Sequence, residues 1–259
     1  MKVVLFCGGR GTRLNGPGGE VPKPMLSIGY RPILWHIMKY YAHFGHNDFI
    51  LCLGYRADAI KEYFLHYNEA VSNDFVMSGG GKHVQLVSSD IQDWTIRFVD
   101  TGPQASIGER LKAVEAYLAG EDYFLANYSD GLTNLDLNQY IEEVRVQDKV
   151  LSLLSVRPAL TMHAVSADEQ GLVRAVMPVG ETDLRINGGY FICRQDLFGY
   201  LGKGEDLVGP VFTRLIADRQ LLAHRYSGFW KPMDTFRDRQ ELEELWAGGQ
   251  APWEVWKCA

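Results

Sequence analysis

At 259 residues the chain is long for a minimal domain and ordinary for one α/β domain with insertions. A composition of 46% hydrophobic and 22% charged residues excludes wholesale disorder and supplies a sizeable core. The formal net charge of −6 argues against a nucleic-acid surface, which needs an excess of Lys and Arg on one face. It leaves room for a small anionic ligand held by a local cluster of donors.

In chain order, short β-branched or aromatic runs alternate with helical patterns. Residues 3–7 read as a first strand, buried on both faces. A helix over 32–44 is opened by Pro32 and closed before Gly45. A strand over 48–53 precedes a helix over 57–67, whose Ile60, Tyr63, Phe64 and Tyr67 recur at helical spacing. The SGGGK run predicts a flexible loop over 73–83. A strand over 95–99, a helix over 106–118, a strand over 123–126 and a helix over 137–146 follow. The second half is less regular, with strands over 150–156, 163–166, 172–176 and 189–193 and helices over 207–218 and 236–246. Such alternation predicts an α/β fold, a mainly parallel central sheet with helices on both faces. No repeat or low-complexity linker divides the chain, so a single domain is expected.

Cys7, Cys52 and Cys193 sit in apolar runs, Cys258 lies near the end, and none forms a CxxC pair. Buried thiols in a reducing compartment are expected rather than a zinc site. The apolar run at the N-terminus is too short for a signal peptide or membrane span, so a cytoplasmic enzyme is expected.

Four features could carry chemistry. Gly8-Gly9-Arg10-Gly11-Thr12-Arg13-Leu14 directly follows the first strand. Its glycines let backbone approach a phosphate, and Arg13 adds charge-assisted hydrogen bonds. The run matches neither the dinucleotide fingerprint nor a P-loop. In Pro22-Lys23-Pro24-Met25, two prolines stiffen the backbone around one ammonium. Asp130, in Tyr128-Ser129-Asp130-Gly131, falls just past a buried strand, where open parallel sheets bind ligands. Asp234 lies in Phe229-Trp230-Lys231-Pro232-Met233-Asp234. Two converging carboxylates would make a hard-oxygen site for Mg²⁺; either one alone is more often a helix cap or turn residue. Trp246, Trp253 and Trp256 read as packing residues rather than base-stacking ones.

In this order the motifs resemble the sugar-1-phosphate nucleotidylyltransferases, and within them the glucose-1-phosphate cytidylyltransferases. The matching stretches include GGRGTRL, PKPM, PILWHIM, VDTG, GERLK, YSDG, INGGYF, GFWKPMDTFRD and APWEVW, spread over nearly the whole chain. The resemblance implies a three-layer α/β/α Rossmann-like fold, Mg²⁺ dependence and a homo-oligomer. It implies an NTP-binding half over about 1–135 and, over about 136–259, an acceptor-binding half with the C-terminal helices. Gly8, Gly9 and Gly11 would hold the nucleotide, Thr12 and Arg13 its phosphates, and Gly102, Gly108 and Arg110 would lie near the nucleoside. Lys23, with Arg13, would act at the reaction centre, Asp130 and Asp234 would bind the metal, and Asn187 would contact the acceptor. The implied reaction moves a nucleoside monophosphate, CMP from CTP by the whole-chain resemblance, to a sugar 1-phosphate and releases pyrophosphate.

The chain departs from the family pattern in three places. The usual Glu-Lys-Pro before the INGG motif is replaced by Val176-Met177-Pro178-Val179-Gly180, leaving Arg174 and Arg185 as the nearby cations for acceptor binding. Leu207-Val208-Gly209-Pro210 stands where an acidic pair is common, and Ser129 replaces a glycine. These differences keep other acceptors open, a non-sugar phosphate or phosphonate among them, as well as a nucleotide-binding paralogue without turnover. A glycosyltransferase would need a DxD-type motif, and Tyr128-Ser129-Asp130 lacks its first aspartate.

Overall fold

The structure is a computed structural model that describes residues 1–9, 21–158 and 162–257. Strand β1 (Val3–Phe6) is buried along its whole length, as a central parallel strand must be. Its side chains alternate, Val3 and Leu5 entering one apolar cluster and Val4 and Phe6 the other. A short antiparallel pair, β2 (Ser27–Ile28) and β3 (Arg31–Pro32), leads into α1 (Ile33–His43), with Pro32 at the cap. The first half continues with β4 (Asp48–Leu53), α2 (Ala57–Leu65), β5 (Phe75–Ser78), β6 (His83–Leu86), β7 (Thr95–Asp100) and α3 (Ile107–Val114). It closes with β8 (Tyr123–Tyr128), β9 (Gly131–Thr133) and α4 (Leu137–Gln147). The second half carries β10 (Leu151–Val156), β11 (His163–Ala167), β12 (Val173–Pro178), β13 (Ile186–Asn187) and β14 (Phe191–Arg194). After these come α5 (Phe212–Ala217), β15 (Leu221–Arg225), β16 (Trp230–Pro232) and α6 (Phe236–Ala247).

The main sheet runs β13-β10-β14-β8-β1-β4-β7, with β15 also paired to β10. Strands β8, β1, β4 and β7 are mutually parallel, and β15 is parallel to β10. Strand β14 inserts antiparallel between β8 and β10. On one face, α1, α2, α4 and α6 contribute Ile33, Ile60, Tyr140 and Leu242 to the first cluster. On the other, α3 and α5 contribute Leu111, Val114 and Leu215 to the second. The result is the expected three-layer α/β/α arrangement. Cys7, Cys52 and Cys193 are buried free thiols, and burial holds the Cys52 thiol up at about 12.

The expected loop over 73–83 is instead largely the hairpin β5–β6. Gly79, Gly80 and Gly81 all take positive φ and close its turn, and the flanking FVMS and HVQL runs pair. Both faces of the ribbon are exposed, so its sequence lacks the alternation that burial imposes. The expected helix over 207–218 is broken: Gly209, at φ 128°, and Pro210 make an irregular turn before α5 begins. Strand β15, not expected, lies at the flank of the sheet and is only partly buried.

Candidate functional site

The carboxyl ends of β1, β4, β7 and β8 meet along one edge, the place where open parallel sheets bind ligands. Beyond β1, Gly8 packs directly over Arg110, whose guanidinium a Cβ on Gly8 would strike. Arg110 is 4% exposed and donates to the carbonyl of Leu53 at 3.0 Å and of Gly8 at 3.4 Å, and to the Thr101 hydroxyl. It ties the ends of three strands together, and with Gly8, Gly9 and Lys23 it lines a cleft of about 570 Å³. Gly102, at φ 90°, turns the chain after β7, its N–H bonded to Asp100. Gly108 is buried in α3, where a Cβ would strike the carbonyl of Glu205. Gly11, Thr12 and Arg13 lie outside the described residues.

A second cleft, about 770 Å³, opens on the other side of β8 and includes Asn187, Trp230, Lys231, Asp234 and Arg237. Tyr128 and Asp130 line both clefts. Asn187 accepts from the Gly189 N–H at 2.9 Å and donates to the Tyr128 hydroxyl at 3.4 Å. Burial pushes the Tyr128 phenol up to about 12, so it stays protonated at neutral pH. Ser129 donates to the Phe6 carbonyl at 2.8 Å, a bond between neighbouring strand ends that a glycine could not make.

Asp130 and Asp234 converge, although far apart in sequence. The pairing of β9 with β16 sets Gly131 opposite Pro232, and the Met233 N–H donates to the Asp130 carbonyl at 2.8 Å. Both carboxylates grip one ammonium: Lys23 Nζ lies 2.7 Å from Asp130 Oδ2 and 2.6 Å from Asp234 Oδ1. Pro22 and Pro24 do stiffen that segment, a short 3₁₀ turn closed by Met25 N–H to the Pro22 carbonyl at 2.8 Å. Burial works against the charge on Lys23, but the two aspartates outweigh it and raise its pKa above the ordinary value. Two acidic oxygens already facing one cation fit a hard divalent metal, with phosphate oxygens completing its shell. Among the described residues no group of three or more His, Cys, Asp or Glu is placed to hold a metal, here or elsewhere, so this pair would need phosphate oxygens as further ligands.

Neither Arg174 nor Arg185, the cations expected for acceptor binding, lines this second cleft. Arg174 is exposed on the β11–β12 ribbon, 3.8 Å from Asp168. Arg185 donates to the backbone carbonyls of Ser155 and Tyr226 at 2.9 and 3.2 Å. The cleft's cations are instead Lys231 and Arg237, both within the FWKPMDTFRD block yet not singled out from sequence. Asp206 was also missed. It lines the first cleft, caps the turn before α5 and accepts from the Ile107 N–H at 3.1 Å. Glu205 and Asp206 directly precede the Leu207-Val208-Gly209-Pro210 stretch in the chain. Trp253 is buried against Phe229 and His36, and none of Trp246, Trp253 and Trp256 lines either cleft.

The sequence is 34% identical over 258 residues to a probable glucose-1-phosphate cytidylyltransferase of Bacillus subtilis, covering 99% of this chain and all of that one. It is 36% identical over 261 residues to the glucose-1-phosphate cytidylyltransferase of Salmonella typhi, with the same coverage. The chain belongs to the glucose-1-phosphate cytidylyltransferase family. No protein-family model matches it. Among solved structures, HddC from Yersinia pseudotuberculosis superposes with a TM-score of 0.65 over 95% of this chain and 99% of that one, at 19% identity. A second structure of HddC, complexed with GMP-PN, gives 0.63. Full-length similarity to the family, with Gly8 and Gly9 just past β1 and two clefts meeting at Asp130, makes the chain a nucleotidyltransferase.

Proposed function

We propose that the protein transfers CMP from CTP to a sugar 1-phosphate, glucose 1-phosphate in the first instance, and releases pyrophosphate. The observation that carries this reading is the convergence of Lys23, Asp130 and Asp234 where the two clefts meet. The full-length relatives of that name support the choice of base and acceptor. Residues 1–135 chiefly supply the nucleotide side and 136–259 the acceptor side of one domain. A cytoplasmic homo-oligomer is part of the same proposal. No described helix is long and apolar enough to cross a membrane, and exposed Val76, Met77, Val165 and Val176 on two ribbons offer area for subunit contact.

An acceptor phosphate oxygen attacks the α-phosphorus in line. The new P–O bond forms as the bond from the α-phosphorus to the bridging oxygen breaks, and pyrophosphate departs on the opposite side. The nucleophile is anionic near neutral pH, so no general base is needed, and catalysis reduces to alignment and charge neutralisation. Asp130 and Asp234 would hold Mg²⁺, which when bound neutralises phosphate charge at the junction. Lys23 and Arg13 stabilise charge gathering on the pyrophosphate side. Gly8 and Gly9 offer backbone to the phosphates, Arg110 braces Gly8 from beneath, and Gly11 and Thr12 would meet the same phosphates, as the family resemblance implies. Gly102 and Gly108 shape the nucleoside wall.

Release of pyrophosphate from CTP and glucose 1-phosphate tests the proposal directly. Asp130→Ala is expected to lower turnover about 30- to 1,000-fold while the protein stays folded. Near-normal turnover of that variant would remove Asp130 from the mechanism. Absence of release with CTP, across a panel of sugar phosphates and phosphonates, would remove the activity itself.

A further inference from the structure

An anionic acceptor entering the cleft beside Asn187 meets four carboxylates, those of Asp130, Asp234, Asp238 and Glu241. Unless cations offset them, these repel a sugar phosphate. Lys23 faces the nucleotide-side cleft and is already shared by two of the four. Among the described residues lining the acceptor side, the cations are Lys231 and Arg237. They differ in what water does to them. The Lys231 side chain is 15% exposed and that of Arg237 73% exposed, so solvent screens the arginine far more.

Lys231 is also fixed in place. Its strand pairs with β9, setting Lys231 opposite Leu132, and the Trp230 indole N–H donates to the Gly188 carbonyl at 2.9 Å. The same short strand leads to Asp234, so Lys231 and the metal-site carboxylate share one rigid support. Its ammonium binds the Glu241 carboxylate and lies 3.8 Å from Asp238 Oδ1. Glu241 also accepts from Arg237 Nε at 2.8 Å, and these two cations hold its carboxyl below the usual range. A carboxylate drawn onto two cations in a ligand cleft marks where another oxyanion can bind.

Resting on the activity proposed above, we infer that Lys231 receives the phosphoryl oxygens of the acceptor. Glu241 holds the ammonium until the phosphate arrives, and Arg237 adds a weaker, outer attraction. The ligand class is a phosphate monoester, with the ester group lying toward Asn187 and Trp230.

Titration calorimetry with glucose 1-phosphate, and separately with CTP, tests this on the full chain. Lys231→Met is expected to bind glucose 1-phosphate at least about 10-fold more weakly and CTP unchanged. Glu241→Gln removes a competing negative charge and should bind glucose 1-phosphate about 2- to 5-fold more tightly. This gain cannot come from a misfolded variant. Equal affinity of wild type and Lys231→Met for glucose 1-phosphate would overturn the inference even where pyrophosphate release is intact, and so would weaker binding by Glu241→Gln. Conversely, loss of affinity in Lys231→Met, with no pyrophosphate release by the wild type, would defeat the transfer activity and leave phosphate recognition by Lys231 standing.

Discussion

Lys23 shows how one side chain can stand in for several partners. Its ammonium occupies the point between Asp130 and Asp234, at 2.7 and 2.6 Å, that a divalent metal would need. A metal bound there must therefore displace it, and nucleotide phosphates offer the ammonium its next partner. Lys23→Met is expected to bind Mn²⁺ roughly 10-fold more tightly than wild type in the absence of nucleotide, read by Mn²⁺ electron paramagnetic resonance. Unchanged affinity would mean that the lysine does not compete for the site. Gly8 makes a complementary point. A glycine there suggests close approach of a phosphate, but its missing Cβ makes room for the Arg110 guanidinium. Gly8→Ala should cost about 1–3 kcal/mol through overpacking, measured as a lower urea midpoint at unchanged slope.

At the scale of elements, α3 connects capping to binding. Ser106 and Glu109 form a reciprocal capping box, and Ser106 and Ile107 also line the cleft proposed to take the nucleotide. Ser106→Ala should lower stability by about 1 kcal/mol in denaturant unfolding and raise the KM for CTP more than that for glucose 1-phosphate. Elements buried on one or two faces were readable from sequence. Strand β4 was expected and found over the same residues, and α1, α4 and α6 agree to within about a residue or two at each end, the ordinary scatter of helix limits. The β5–β6 ribbon was not readable, because exposure on both faces erases the pattern that burial writes into a strand. The glycine run marked only a flexible loop in the sequence, whereas its flanks pair as strands.

For the molecule as a whole, the C-terminal segment acts as a strap over α1. Trp253 is 1% exposed and donates to His36 Nδ1 at 3.3 Å, while His36 Nε2 pairs with the Ile28 carbonyl at 3.0 Å. Burial, helped by the positive charges of Lys257 and Arg31, lowers the His36 pKa to about 4 from the ordinary 6.5. His46 is likewise lowered to about 4, by burial and then by the N-terminal ammonium. Between these values the unfolded chain binds protons that the folded chain does not. This contribution to stability is therefore complete above pH 6.5 and is lost as the pH falls toward about 4. Urea midpoints measured over this range should drop with acid, and less steeply in His36→Gln. An identical slope in that variant would exclude His36 as a source.

Local pattern determined much of this protein: the alternating elements, the buried strands, the glycine run that follows β1 in the sequence, the stiff proline-flanked lysine and the family. These depend on neighbours in the chain, where spacing and composition act directly. Partnership across the chain was decided by the tertiary structure. The β9–β16 ladder brings Asp234 to Asp130, and the fold keeps Arg174 and Arg185 out of the lining of the cleft beside Asn187 while setting Lys231 in it. Charge interactions fall off within about 10 Å in salt, so a cation's role depends on where folding sets it, and sequence order does not encode that distance.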